Sequence, residues 1–197
     1  MRNIVCISGT SRPDNFTSRA LAVVVEEFKQ QNETTQVFDA RDMHLGFPGS
    51  APTNDAKELK AAVEQATGVV IASPEYHGGI CAMTKLIIEN LGFPSLLAGK
   101  PVGLVGVAAG RIGAIKSLEQ LKSICSHVGA IVVPGAISIA GVQSVFDDDG
   151  RCLDEGSEAA LRSVATAMSG FMRDFICPKY ILEQAVRGGD GPWSTST

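Results

Sequence analysis

Two rhythms of apolar residues alternate along this chain, and each change of rhythm marks an element. Ile4 to Ser8 is a short, nearly continuous apolar run, the pattern of a buried strand. From Thr17 onward Leu21, Val24, Val25 and Phe28 recur once per turn, the pattern of a helix packed on one side. The sequence repeats this alternation. Thr35 to Asp39 predicts a second strand, and a turn-rich loop follows to Asn54, which is placed to cap a helix carrying Leu59, Ala62, Val63 and Ala66 on one face. Gly68 to Ala72 is apolar throughout, as expected for a central strand covered on both sides. The helix after it bears Ile80, Met83, Ile87 and Leu91 and stops at Gly92 and Pro94. Val102 to Val107 is a fourth strand, and Ile115, Leu118, Leu121 and Cys125 mark a fourth helix. Ala130 to Val133 is a fifth strand, resuming from Ala136 to Ile139 after Pro134 and Gly135. Leu161, Val164, Ala165, Met168, Phe171, Met172 and Phe175 form the most regular amphipathic helix of all.

Five strand-helix alternations with right-handed crossovers give an α/β doubly wound parallel sheet in three layers, with helices on both faces. The chain has 197 residues, 45% of them hydrophobic, enough for one sizeable core and short for two. One domain over 1–177 is expected. Residues 178–197 end in GGDGPWSTST and read as a loosely held tail, with Trp193 exposed or at an interface.

Charge narrows the function. Seventeen basic and 21 acidic side chains leave a formal charge of −4 without a basic run, which argues against a nucleic-acid surface. No run approaches membrane-spanning length, and the apolar residues before Ser8 are too few for a secretion signal, so a cytoplasmic protein is expected. Cys6, Cys81, Cys125, Cys152 and Cys177 lack paired or His-associated spacing and imply neither a disulfide framework nor a metal site. Asp147, Asp148 and Asp149 before Gly150 lack the ligand alternation of a calcium loop and read as a turn.

The chemistry concentrates where strands end. Thr10, Ser11, Arg12, Asn15 and Thr17 lie between the first strand and its helix, where backbone N–H groups and the helix dipole favour an anion. The same residues also suit a polar turn capped by Asn15 or Thr17. Gly9 stands alone, so neither a Walker loop nor a dinucleotide fingerprint is present, and the donors suit a static phosphate monoester such as that of FMN. In a doubly wound sheet two further loops meet this one: Pro74-Glu75-Tyr76-His77-Gly78-Gly79 after strand three and Ala108-Ala109-Gly110-Arg111 after strand four. They are placed to flank a planar ring extending from the phosphate. Tyr76 and Glu75 also suit packing and solvent. His77 is open among three roles: a hydrogen bond to the ring edge, proton donation to substrate, or plain solvation.

GTSRPDNFT resembles the GSxRxxSxN loop of the NADPH-dependent FMN reductase family, and PEYHGGICAMTKLIIE resembles that family's PEYNGSIPGxLKNAID segment. The similarity runs on through GRIGA, the VVP of strand five and FDDDGRCLDE. The resemblance implies a flavodoxin-like fold with strand order 2-1-3-4-5, non-covalent FMN, NADPH or NADH as donor, a small-molecule acceptor, and a homodimer or homotetramer. By matched position it assigns Thr10, Arg12, Asn15 and Thr17 to the phosphate, with Ser11 contributing backbone. Pro74 to Gly78 go to the isoalloxazine and Ala108 to Gly110 to the far side of the ring. Lys85 and Glu89 match a pair that bridges subunits; an ordinary contact one helical turn apart is the alternative. His77 stands where Asn is usual, Cys81-Ala82 replaces Pro-Gly, and Arg111-Ile112 interrupts a glycine-rich loop; Arg111 is a candidate for the phosphates of NAD(P)H. The expected reaction is hydride transfer to FMN and two-electron delivery to free FMN, a quinone or a similar acceptor. A flavodoxin-type electron carrier and an FMN-binding redox sensor are the rival readings.

Overall fold

The computed structural model describes residues 2–187. Its elements follow the predicted alternation: β1 (Asn3–Ser8), α1 (Phe16–Gln30), β2 (Thr34–Asp39), α2 (Asn54–Gln65), β3 (Gly68–Tyr76), β4 (Gly79–Ile80), α3 (Ala82–Asn90), β5 (Pro101–Val107), α4 (Ile115–His127), β6 (Ile131–Val132), β7 (Ile137–Ile139), α5 (Glu155–Phe171) and α6 (Cys177–Arg187). The main sheet is parallel with the order β2-β1-β3-β5-β6, and β7 pairs with β5 further along the same edge. This is the predicted doubly wound, flavodoxin-like topology.

Alternation along the strands builds the three layers. Ile4, Cys6, Val70, Ala72 and Val105 face α1 and α5, where they meet Phe28, Leu161 and Met168. Val5, Ile7, Val69, Ile71 and Leu104 face the opposite way, onto Leu59, Ile87 and Leu121 of α2, α3 and α4. A central strand covered on both sides has no polar face to show, which is why these segments read as apolar runs.

Three local expectations are corrected, and a fourth holds. The cap of α2 is Thr53, whose hydroxyl accepts from the Ala56 N–H, and Asn54 is already helical. The third strand does not stop at Ala72: it runs to Tyr76 and turns back into β4, making a small antiparallel hairpin of what reads as loop. The fifth strand breaks and resumes as expected, as β6 and β7, because Pro134 and Gly135 divert the chain between two short pairings with β5. The last helix passes Pro178 and continues to Arg187, through a π-helical segment at Met172–Ile176. A proline lacks the N–H of a regular helix and crowds the carbonyl four residues back, here Asp174, and the wider turn accommodates it. The remainder of the predicted tail, with Trp193, lies outside the described residues.

The long loop before α2 is braced at several points. The Thr53 hydroxyl donates to the His44 carbonyl at 2.6 Å, and Asn90 donates to the Gly46 carbonyl at 2.9 Å. Among the described residues no helix is long and apolar enough to cross a membrane.

Candidate functional site

The loop leaving β1 is shaped from beneath. Gly9 donates its N–H to the Ala72 carbonyl at 2.8 Å, and its own carbonyl accepts from the buried Thr84 hydroxyl of α3, also at 2.8 Å. A side chain here is impossible without movement, since a Cβ would stand 2.2 Å from Thr84 Oγ1 and 2.9 Å from the Ala72 carbonyl oxygen. Thr84 Oγ1 also lies 3.0 Å from the Ser73 hydroxyl, so one residue holds the ends of β1 and β3 together. Beyond Gly9 the chain turns through Asp14 in the left-handed region (φ 47°) and enters α1 at Asn15. The Asn15 side chain accepts from Ser18 N–H at 2.7 Å and donates to the Arg12 carbonyl at 2.8 Å, fastening loop to helix.

This fastening leaves donors free. Among the described residues the N–H groups of Thr10, Ser11, Phe16 and Thr17 have no acceptor, and the last two open a helix. Ser11 and Arg12 are exposed, whereas Thr10 and Thr17 are buried to 1% exposure against the same loop. Thr10 Oγ1 accepts from the Arg12 N–H and lies 3.3 Å from the Tyr76 hydroxyl, which reaches across from the end of β3. The first and second predicted loops are therefore in direct contact.

The second loop is a hairpin with a two-residue turn. Glu75 pairs with Ile80 and Tyr76 with Gly79, and His77 and Gly78 both have positive φ, at 50° and 75°. Two left-handed residues in succession match the twist of a two-residue hairpin, and Asn-Gly is the usual occupant. The Asn-to-His difference noted in the sequence falls on a backbone position, with the His77 side chain exposed at the tip. The hairpin is docked on α4. The Glu75 carboxylate accepts from the Ser117 N–H at 3.0 Å, where Ala114 gives that helix no side-chain cap, and Gln120 Oε1 accepts from the Ile80 N–H at 2.9 Å. A carboxylate at a helix N-terminus complements the dipole, so Glu75 has a structural task here.

The third loop is tied to the strand beyond it. Ala108 donates to the Ile139 carbonyl, Gly141 to the Gly110 carbonyl, and Ala114 N–H to Ser138 Oγ. Ala109, Gly110, Arg111 and Ile112 stand exposed at its tip. Lys85 pairs with Glu89 within α3. All the predicted site residues thus lie at the carboxyl ends of β1, β3 and β5. Sequence reasoning missed Thr84, Ser73, Ser117 and Gln120; a Thr inside the apolar stripe of α3 is the one signal that pointed to the first of them.

Next to the loop between β1 and α1, and between α1 and β2, lies an unpredicted cavity of ≈ 340 Å³ lined by Leu21, Val25, Val37, Ser18, Asp39 and Arg41. Burial alone would raise the Asp39 carboxyl, but hydrogen bonds from Arg41 and Ser18 outweigh it and hold it below the usual carboxylate range. Cys6 lies under this region with its thiol pushed up to about 12 by burial, which makes it packing and not a nucleophile. At the Asp147–Gly150 turn, Arg19 donates to the Asp147 carbonyl at 2.7 Å, bracing it against α1.

A parallel five-position sheet of this order, with free N–H groups in the loop after its first strand, has the flavodoxin-like architecture. The family model for NADPH-dependent FMN reductase matches residues 2–143, and the chain belongs to that family. Its members are oxidoreductases that work with FMN and a reduced pyridine nucleotide. The chain is similar to an FMN-dependent NADPH-azoreductase of Staphylococcus aureus, 26% identical over 171 residues, covering 83% of this chain and 89% of the relative. In structure it resembles a flavoenzyme NAD(P)H:(acceptor) oxidoreductase from Paracoccus denitrificans with TM-score 0.72 and 21% identity, covering 88% of this chain and 98% of that one. It also resembles an NADH:FMN oxidoreductase in its apo form with TM-score 0.67 and 18% identity, covering 85% and 90%.

Proposed function

We propose that this protein is an NAD(P)H-dependent flavin oxidoreductase that binds FMN across the three loops and passes two electrons to a small acceptor. The observation that carries the reading is the unpaired N–H nest between Thr10 and Thr17, held in shape by Asn15 and Thr84 and joined to the ring-side hairpin by Tyr76. A phosphate monoester fits that nest because its oxygens accept what the loop offers, and Arg12 at the rim supplies charge.

Bound FMN supplies hydride acceptance from the nicotinamide and two-electron delivery to the acceptor. The protein binds, orients and shields. Thr10, Ser11, Arg12 and Thr17 hold the phosphate, while Asn15 acts through the loop it caps. Pro74 to Gly78 present backbone to one edge of the ring, with Gly78 adding no side chain, and Ala108, Ala109 and Gly110 border the other side. Arg111, exposed at the tip of the third loop, attracts the phosphates of NADPH or NADH in this reading. His77 has no buried partner and serves as a turn residue. The acceptor class, a quinone, an azo compound or free FMN, is suggested by the azoreductase relative and by the exposed apolar side chains Tyr76 and Ile112 on the second and third loops. Five cysteines without a disulfide fit a reducing, cytoplasmic setting.

The test is an FMN titration followed by anaerobic addition of NADPH or NADH. Saturable flavin binding with rapid bleaching is expected, and the faster donor names the preferred nucleotide. Failure to bind FMN defeats the proposal, and binding without bleaching turns it toward an electron carrier.

A further inference from the structure

The cavity of ≈ 340 Å³ between α1 and β2 runs along the edge of the sheet, since β2 is its last strand. Two periodicities make its wall. Ser18, Leu21, Ala22, Val25 and Lys29 recur at helical spacing on one face of α1, and Val37 and Asp39 are alternate residues of β2, so both turn to the same side of the sheet. Leu21 and Val25 are buried at the bottom, whereas Ala22 and Val37 stand exposed at the sides. The volume is that of a small-molecule pocket, and the accessible wall is mainly apolar.

The polar groups of the lining are largely spent on one another. Ser8 Oγ lies 2.8 Å from Ser18 Oγ, which donates to Asp39 at 2.8 Å, and the two oxygens of that carboxylate accept from Arg41 Nε and Nη2 at 3.0 and 2.8 Å. Glu26, the other acid of the lining, pairs with Arg162 of α5 at 2.9 Å. What is left over is positive. Among the described residues the Lys29 ammonium has no carboxylate partner, and Nη1 of Arg41 has no acceptor. A cation entering here finds both acids already engaged; an anion finds a free ammonium beside an apolar wall.

We propose that this cavity is a binding site for a small carboxylate with an aromatic or aliphatic body, the carboxylate at Lys29 and the body along Leu21, Val25 and Val37. Lys29 stands about 16 Å beyond Ser18 along the axis of α1, so the charged end of the ligand is turned away from the loop between β1 and α1. Arg41, at the other end, offers Nη1 to an oxygen on the body. The site opens between α1 and β2 and not among the three loops, and it does not rest on the flavin reading.

The experiment is a heteronuclear NMR titration of the full-length, FMN-loaded protein with hydrocinnamate. Saturable shifts at Ala22, Val25, Lys29 and Val37 are expected, with a Kd of about 1 mM or tighter for a ligand of this size. The absence of saturable shifts there, up to about ten times that concentration, overturns the proposal. Hydrocinnamide keeps the body and loses the charge, and it is expected to bind about fivefold more weakly; equal binding overturns the proposal. Lys29→Gln is expected to weaken hydrocinnamate by the same factor and Lys29→Arg to retain it, whereas a Lys29→Gln protein that binds like wild type overturns the proposal. Ala22→Trp places an indole in the cavity and is expected to abolish the shifts with the flavin spectrum and Tm kept near wild type; shifts that persist overturn the proposal. Repeating the titration without FMN is expected to give the same affinity, and competition between FMN and hydrocinnamate would place the probe at the three loops and overturn the proposal. The titration reads the cavity whether or not FMN binds, so failure of the flavin reading and failure of this one are distinguishable.

Discussion

Replacing Thr84 by Val keeps the shape of a fully buried side chain and deletes one oxygen. That oxygen donates to the Gly9 carbonyl at 2.8 Å and lies 3.0 Å from the Ser73 hydroxyl, which keeps the Pro74 carbonyl as its acceptor at 3.0 Å, so the Gly9 carbonyl is the group left without a partner. An orphaned buried group costs about 1–3 kcal/mol. For a chain of this size that is a fall in Tm of roughly 2–12 °C. Stability is only half of the prediction. Gly9 is pinned between the Ala72 carbonyl and Thr84, and the free N–H groups of the loop begin at the next residue. Releasing one pin lets the nest relax, and a loss of about 1.4 kcal/mol in binding is a tenfold weaker Kd for FMN. Differential scanning fluorimetry of the apoprotein gives the first quantity and quenching of flavin fluorescence on binding gives the second. Thr84→Ser, which retains the hydroxyl and loses a methyl, is the control: Tm falls by less and the FMN affinity stays within twofold. If Thr84→Val lowers Tm with its FMN affinity unchanged, Thr84 is a core residue alone and the link from α3 to the cradle is refuted.

Other perturbations probe the same architecture. His77→Asn places the favoured residue at a left-handed turn position and is expected to match or raise Tm while leaving FMN affinity unchanged; a clear fall in affinity would show that the imidazole itself contacts the ring. Asp39 has its pKa lowered in the folded state, so its contribution is present above the ordinary carboxylate pKa and is lost as pH falls through the folded value. Asp39→Asn should therefore flatten the acid limb of the stability-pH curve, and an unchanged limb in urea titrations would contradict the Arg41 and Ser18 assignment. Cys6 and Cys125, both pushed up to about 12 by burial, should resist alkylation in the native protein at pH 8 and react on unfolding. Rapid native labelling of either, read by peptide mass mapping, would mean that the sheet opens around them.

The parallel sheet with helices on both faces was legible because it rests on local patterns, whereas its strand order came from the family resemblance. Apolar runs at Ile4–Ile7 and Val69–Ala72, each followed by helical periodicity, leave a parallel sheet as the economical arrangement, and a parallel sheet places its ligand at the carboxyl ends of its strands. The Thr10–Thr17 segment was recognisable as a strand-to-helix loop for the same reason, since its free N–H groups lie in consecutive residues. What joins the loops is not local. Thr84 lies 75 residues from Gly9, and its hydroxyl has a role only once α3 packs against the ends of β1 and β3. The hairpin at Glu75–Ile80 was hidden because Pro74 and the glycines look like loop material; its two pairs of residues hold because Ser117 and Gln120 of α4 receive it. Residues 178–187 belong to a helix and not to the expected loose tail, because a π-helical turn upstream accommodates Pro178, a choice made by backbone geometry over several residues and not by the proline alone. Sequence by itself determined the repeating elements and the parallel sheet with helices on both faces, where periodicity suffices. Tertiary structure decided which distant hydroxyls and amides hold the three loops in one site, because a hydrogen bond between remote residues exists only after the core has brought them together.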